Sequence, residues 1–169
     1  MTADEFARRV EALKPVMHRV CRAQLGEPHD REDAAQEAIL RAWEKQDGLR
    51  EAKFFETWFI RILINACHDI QRRNRRTVAM DAPPEREPEP EHRDLYLALM
   101  ALNEKQRMCV LLHYIEGYGV REVAGMLGIG ESAVKVRLMR GRNKLRELLL
   151  RRCSNDSQGG FHRRAGHAG

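Results

Sequence analysis

Residues 120–148 read VREVAGMLGIGESAVKVRLMRGRNKLREL, and their punctuation sets the architecture. Val120 to Leu127 has the length and apolar spacing of a short helix. Gly128-Ile129-Gly130 breaks it, and Glu131 opens a longer helix expected to run to about Arg151. Short helix, three-residue glycine-bearing turn and longer helix form the helix-turn-helix pattern. Ala124 supplies the small side chain needed where two such helices pack closely, and Val134 and Leu138 turn inward with Leu145 and Leu148. The helical period leaves Ser132, Val136, Met139, Arg140 and Asn143 outward, flanked by Lys135 and Arg137. Glu131 to Arg152 holds eight cations and two acids, a local +6. A helix lying in the major groove uses such a bias: Arg or Lys pairs with guanine O6 and N7, and later cations neutralise phosphates. Lys135 and Arg140 are the best-placed base readers. Arg137, Arg142, Lys144 and Arg146 suit core-capping or backbone contacts.

Upstream, Leu95, Leu99 and Leu102 begin a short helix, and Lys105 to Glu116 continues with Val110, Leu111 and Ile115 as expected core. Residues 81–94, DAPPEREPEPEHRD, carry four of the six prolines and six acids against two arginines, so no packed element can form there. The expected class is all-α: two small helical domains, residues 1–80 and 95–151, joined by a flexible linker at 81–94, the C-terminal one carrying the helix-turn-helix. A disordered tail is expected at 152–169. Each domain is near the lower size limit for independent stability, which favours a large partner that fixes their placement.

The first domain reads as helices because its apolar positions recur at helical spacing and β-branched runs are missing. Asp4 to Gln24 is a first helix. A second runs from near Asp30 to about Gln46, with Ala34, Ala35, Ala38, Ile39, Ala42 and Trp43 on one side and Asp33, Gln36, Glu37, Leu40, Arg41 and Glu44 on the other. Leu40 is thus an apolar residue on a polar face, which fits either a stray surface leucine or a docking surface. A third helix, about Phe54 to Arg73, gathers Trp58, Phe59, Ile62, Leu63, Ala66 and Ile70 on its apolar arc. Arg61, Asn65, His68, Asp69 and Arg72 lie opposite, a face able to touch phosphates and base edges. Four cations, Arg72, Arg73, Arg75 and Arg76, follow within five residues and favour a nearby polyanion.

Composition narrows the classes. Thirty Lys plus Arg against 25 Asp plus Glu leave +5 and a pI of 9.3, which raises the prior for a polyanionic partner without establishing one. The longest near-apolar stretch, Trp58 to Ile64, is interrupted by Arg61 and falls far short of the ~20 residues that span a bilayer. The charged N-terminus lacks a secretory h-region, so a cytoplasmic location is expected. Cys21, Cys67, Cys109 and Cys153 show no close pairing and are expected to be reduced structural thiols. Cys153, His162 and His167 are spaced too irregularly for a metal site, and no cofactor is expected. A nuclease built on Asp30, Asp33 and Glu37 lacks the further acid or His that would complete it.

Taken together, these residues resemble the extracytoplasmic-function (group IV) sigma factors of the sigma-70 family, promoter-recognition subunits of bacterial RNA polymerase. DREDAAQEAILRAW at Asp30 to Trp43 resembles their polymerase-binding segment and KFFETWFIRILINACHDIQRRNRR at Lys53 to Arg76 their minus-10 reading segment. ALNEKQRMCVLLHYIEGYGVREVAGMLGIGESAVKVRLMRGRNKLREL at Ala101 to Leu148 resembles their C-terminal domain. Asn103 departs from a proline common in the family, and Gly130 from a Ser or Thr.

The resemblance implies a non-enzymatic initiation factor. Asp33, Gln36, Glu37, Leu40 and Arg41 would grip the clamp helices of the largest polymerase subunit, and the C-terminal domain would rest on the flap. The loop Leu49 to Phe54, with Arg50, Glu51, Ala52, Lys53 and Phe54, would capture a flipped minus-10 base, and Arg61, Asn65, Asp69, Arg72 and Arg73 would contact DNA beside it. Ser132, Lys135, Val136, Arg137, Met139 and Arg140 would read the minus-35 element. An anti-sigma factor is an expected partner. The rival reading is a stand-alone dimeric helix-turn-helix regulator, which would bind a palindrome tightly without polymerase.

Overall fold

Residues 1–49, 51–76 and 93–159 are described by the computed structural model, and the regular secondary structure among them is entirely helical, with no strand. The expected linker falls mostly outside the described residues, as do Arg50 and residues 160–169.

Helix α1 (Ala3–Gln24) starts where the Thr2 hydroxyl accepts from Glu5 N at 3.2 Å, and Asp4 and Glu5 place acids at the positive end of the helix dipole. It buries Phe6, Val10, Leu13, Met17 and Val20, a stripe at helical period. Helix α2 (Pro28–Lys45) begins two residues earlier than expected because Pro28, whose missing N–H costs nothing in the first turn, is its first residue. Ala34, Ala38 and Ala42 form its buried seam, small enough for close approach to its neighbours. Two short 3-10 turns, Gln46–Gly48 and Ala52–Phe54, lead into α3 (Phe55–Arg76). Phe59, Ile60, Leu63 and Ile64 are fully buried along α3, each stabilising the fold by roughly 1.5–3 kcal/mol. Phe6 meets the Phe55 ring edge-on at 5.7 Å, and Phe55 stacks on Phe59 at 5.8 Å.

The second unit opens with α4 (Arg93–Met100), which takes in the last two residues assigned to the linker. Asn103 caps α5 (Glu104–Val110): its side chain accepts from Gln106 N at 2.9 Å, so the residue that departs from the family's proline still starts the helix. The chain then widens into a π turn, Leu111–Ile115. Helix α6 (Val120–Leu127) is closed at its start by Gly119 N donating to Glu122 Oε2 at 2.8 Å. Gly128 ends it at φ +65°, the left-handed conformation that glycine adopts without a Cβ penalty.

Helix α7 (Glu131–Gly159) extends eight residues past the expected end at Arg151. No proline interrupts residues 152–158, and the first glycine there is Gly159, so the expected disordered tail at 152–169 is corrected over its first half. Ile115, expected in the core, is instead 42% exposed. A π turn carries an extra residue, so it rotates the residues after it out of the phase that an α-helical wheel assigns.

The units share one interior. Buried side chains of α1–α3 and of α4–α7 form a single cluster. Arg107 fastens the join: its guanidinium donates to Ala23 O at 2.6 Å, and to Met100 O and Leu102 O at 2.9 and 2.8 Å. Burial of Arg107 lowers its pKa, and four carbonyl acceptors, Leu99 O included, compensate the desolvated cation.

Candidate nucleic-acid interface

The helix-turn-helix forms where the sequence placed it. Gly130 O accepts from Val134 N at 3.2 Å, so glycine serves as the cap of α7. Val134 and Leu138 are buried, and Leu145 packs against the core from the edge. Ser132, Lys135, Val136, Met139, Arg140 and Asn143 are all exposed, with Met139 at 49%. Apolar Val136 and Met139 beside Lys135 and Arg140 give this surface groups for both a thymine methyl and a guanine edge. Arg137 differs from its neighbours: it is half-buried and lies against the Cys109 thiol, whose pKa burial raises and Arg137 opposes.

Gly141 is a site the sequence reading missed. A Cβ there would sit 2.8 Å from Val110 Cγ2, so glycine is what lets α7 close onto α5. A glycine inside a basic helix gives little hint of this, because the partner lies 31 positions away.

In the first unit the two predicted faces meet. On α2, Asp33 and Gln36 are exposed and Leu40 is 63% exposed. Glu37 and Arg41 are half-buried and paired, and Arg41 Nη1 also donates to Asp69 Oδ2 of α3 at 2.8 Å. Arg72 donates to the other Asp69 oxygen, and Arg73 reaches Glu37 at 3.5 Å. The Arg41 hydrogen bond, aided by Arg72, holds the Asp69 carboxyl below its usual range, and Asp69 raises Arg41 in return. Glu37 and Arg41 of the face expected to grip polymerase and Asp69, Arg72 and Arg73 of the face expected to touch minus-10 DNA therefore form one ionic network. Buried Asp30, which accepts from Asn74 Nδ2 at 2.7 Å, adds a tie between the start of α2 and the end of α3.

The predicted base-capture loop presents exposed Glu51, Ala52, Lys53 and Phe54. Phe54 is 51% exposed with the Lys53 ammonium 4.8 Å from its ring centre, an aromatic plane with a cation beside it. Arg9 Nη1 holds the loop by donating to Ala52 O at 3.0 Å. Arg61 and Asn65 are exposed on α3. Asn65, Asp69 and Arg72 line a cleft of about 650 Å³ whose far wall includes Ile129 and Arg137 of the helix-turn-helix.

The thiols are interior. Cys21, Cys67 and Cys109 are buried and free. Cys67 donates to Cys21 at 3.9 Å, which together with burial holds the Cys67 thiol well above its ordinary range. No cluster of three or more metal-ligating side chains occurs among the described residues. No helix among them is long and apolar enough to cross a membrane.

A pair of helical units, one with a polar-faced and cation-ended third helix and the other with a helix-turn-helix, defines the class: an all-helical protein that carries a helix-turn-helix. Comparison with known proteins is more specific. Residues 9–77 match the family described as Sigma-70 region 2 and residues 92–145 that described as Sigma-70, region 4. The ECF RNA polymerase sigma factor SigW of Bacillus subtilis is 30% identical over 167 residues, covering 86% of this chain and 89% of that protein. The probable RNA polymerase sigma factor RfaY of Xanthomonas campestris is 33% identical over 144 residues, and the match spans 76% of this chain and only 36% of that protein. Among solved structures, the sigma factor RpoE of Bartonella quintana, determined with the anti-sigma factor NepR, has the same fold, with a TM-score of 0.72 at 23% identity over 87% of this chain and 98% of that one. The chain belongs to the sigma-70 family, as an ECF sigma factor.

Proposed function

We propose that this chain is a group IV sigma factor that binds core RNA polymerase and directs it to promoters with minus-35 and minus-10 elements, under the control of an anti-sigma factor. The observation that carries the reading is the ordered pair of sigma regions 2 and 4 on helices whose polar faces are open at Asp33, Gln36 and Leu40 in the first and at Lys135 and Arg140 in the second. The exposed Leu40 on a charged face supports docking on a protein, since a lone apolar group among acids gains from burial at an interface.

In this mechanism α7 sits in the major groove of the minus-35 element, with Lys135 and Arg140 donating to base edges and Val136 and Met139 meeting methyl groups. Phe54 and Lys53 offer a stacking plane and a cation to an unpaired minus-10 base, and Arg61, Asn65 and Arg72 contact the adjoining backbone. Bond formation belongs to the polymerase; this subunit contributes sequence choice and strand opening. The support for an anti-sigma partner is that the Bartonella protein of like fold was solved bound to one.

The test is transcription from a genomic fragment library by core polymerase lacking any sigma, with and without the purified chain, mapping transcript starts. Initiation at a shared two-part promoter is expected. Absence of initiation, with a palindromic fragment bound by the chain alone, would instead identify a dimeric regulator.

A further inference from the structure

We propose that Cys21 and Cys67 form a redox-active dithiol, which a small hydroperoxide converts to a disulfide stapling α1 to α3, with the Gln24 amide seating the peroxide.

The seam between α1 and α3 carries the site. The Cys67 thiol donates to the Cys21 sulfur at 3.9 Å, across 46 positions of sequence. A disulfide needs about 2.05 Å, so each sulfur has only about 1 Å to travel, within reach of a side-chain rotation. The two sulfurs are not equivalent. Cys67 is fully buried and gives the hydrogen bond; Cys21 is 3% exposed and receives it. Arg31 is fastened at this end of α1 by two carbonyls, donating to Leu25 O at 2.9 Å and also to Gly26 O. The bond from Cys67, with Arg31 nearby, draws the Cys21 thiol below its ordinary range against its burial. Cys21 is thus the sulfur suited to attack and Cys67 the one suited to resolve.

Gln24 follows Cys21 by three residues and Gln71 follows Cys67 by four, so both lie one turn further along the seam. They meet there, with Gln71 Nε2 donating to Gln24 O at 2.9 Å. The side-chain amide of Gln24 is buried, and neither its nitrogen nor its oxygen has a partner among the described residues. A buried amide in that condition carries a cost that a small polar molecule relieves. Hydrogen peroxide is little larger than water and is both donor and acceptor, so it answers both ends of the amide. Entry needs only the last turn of α1 to loosen. Cys21 O is held there by Leu25 N at 2.8 Å, and helix ends are among the first elements to open.

In the first step the Cys21 thiolate attacks one peroxide oxygen and the O–O bond breaks. The sulfur becomes a sulfenic acid, and the other oxygen leaves as water with the proton that Cys21 carried. Cys67 then attacks the Cys21 sulfur, the S–O bond breaks, and the hydroxyl leaves as a second water with the Cys67 proton. The two thiols lose two electrons and the peroxide gains them. The new bond closes a loop that contains α2 and the segment through Phe54, which removes freedom from the unfolded chain. Oxidant therefore hardens the first unit rather than dismantling it, and this consequence does not depend on the promoter reading above.

The full chain is treated with hydrogen peroxide, blocked with N-ethylmaleimide and digested, and peptide mapping should find Cys21 joined to Cys67. The oxidised chain should melt at least about 5 °C above the reduced one, and a thiol reductant should restore the lower value. Cys67→Ser should accumulate a dimedone adduct at Cys21, whereas Cys21→Ser should yield none at Cys67. Gln24→Leu should slow oxidation by peroxide at least about threefold and leave oxidation by diamide unchanged, a split that altered packing alone does not produce. Absence of the Cys21–Cys67 link from the folded chain, or its formation only in urea, overturns the dithiol; this arm uses the unmodified chain and stands even where a variant fails to fold. A link that lowers the melting temperature overturns the staple, and equal slowing of both oxidants by Gln24→Leu overturns the peroxide seat.

Discussion

Helices α3 and α7 are both long, both cationic and both expected to touch DNA, yet they use their charges differently. On α3, Asp69 is held by Arg41 and Arg72, and the Arg61 side of the face lies beside α6. On α7, Lys135 and Arg140 are exposed, and no ion pair among the described residues engages either. Charges committed to internal partners stabilise the fold and are costly to redirect; charges left in water cost nothing to present to a polyanion. The difference separates a helix whose charges partly hold the fold together from one whose charges stay open to solvent, and it can be broken by substitution.

The largest effect is expected inside the scaffold. Phe59→Ala should cost about 3–5 kcal/mol of unfolding free energy in urea titrations, because a fully buried ring leaves a cavity between α3 and its neighbours. Gly141→Ala should follow at about 1–3 kcal/mol, since the added methyl meets Val110 at 2.8 Å; an unchanged urea midpoint would show that α5 and α7 can part without cost.

On the reader side, Lys135→Ala and Arg140→Ala should each weaken minus-35 dependence by about 1–3 kcal/mol in promoter-binding titrations with holoenzyme. Their urea midpoints and polymerase affinity should stay at the level of the unmodified chain. Asp33→Ala with Leu40→Ala should do the converse, lowering polymerase affinity and leaving sequence choice intact; equal losses in both assays would erase the distinction between the faces.

The smallest effect concerns the ion network. Asp69→Asn should cost up to about 1 kcal/mol near neutral pH, as partly exposed pairs generally do. Its sign with pH is fixed by the depressed carboxyl. Stability gained from ionised Asp69 is fully present above its ordinary value of 3.8 and is lost as pH falls through the lower folded value. Acid titration of stability should therefore be shallower in Asp69→Asn than in the unmodified chain below about pH 4; parallel curves would remove Asp69 from the network.

Much of this was legible in the chain. The expected bounds of α6, Val120 to Leu127, match the structure, because glycine punctuates both ends and the apolar spacing between them is unambiguous. The outward set on α7 followed from period alone. What escaped reading depends on contacts distant in sequence. Arg107 looks like a surface cation of a short helix, and only the fold brings Ala23 O to it across 84 positions. Asp69 and Arg41 sit on separate wheels, each placed correctly, and their pairing needs the crossing of α2 over α3. Ile115 failed for a local reason: a wheel drawn at the α-helical period cannot know that Leu111–Ile115 winds wider. The merging of two expected domains into one interior was hidden by the proline-rich stretch, whose composition argues for separation and says nothing of what its ends find.

That wide turn sets a register. It holds one residue more than an α-helical path needs, so it acts as stored slack between α5 and the segment that delivers Glu116 to Arg19 and Tyr118 to Glu56. Removing a single residue from Leu111–Ile115 would rewind the turn and swing everything after it by roughly 100° about the helix axis. The length of this one loop of backbone is thus a mechanical dial, and its present setting points two clasps at the first three helices.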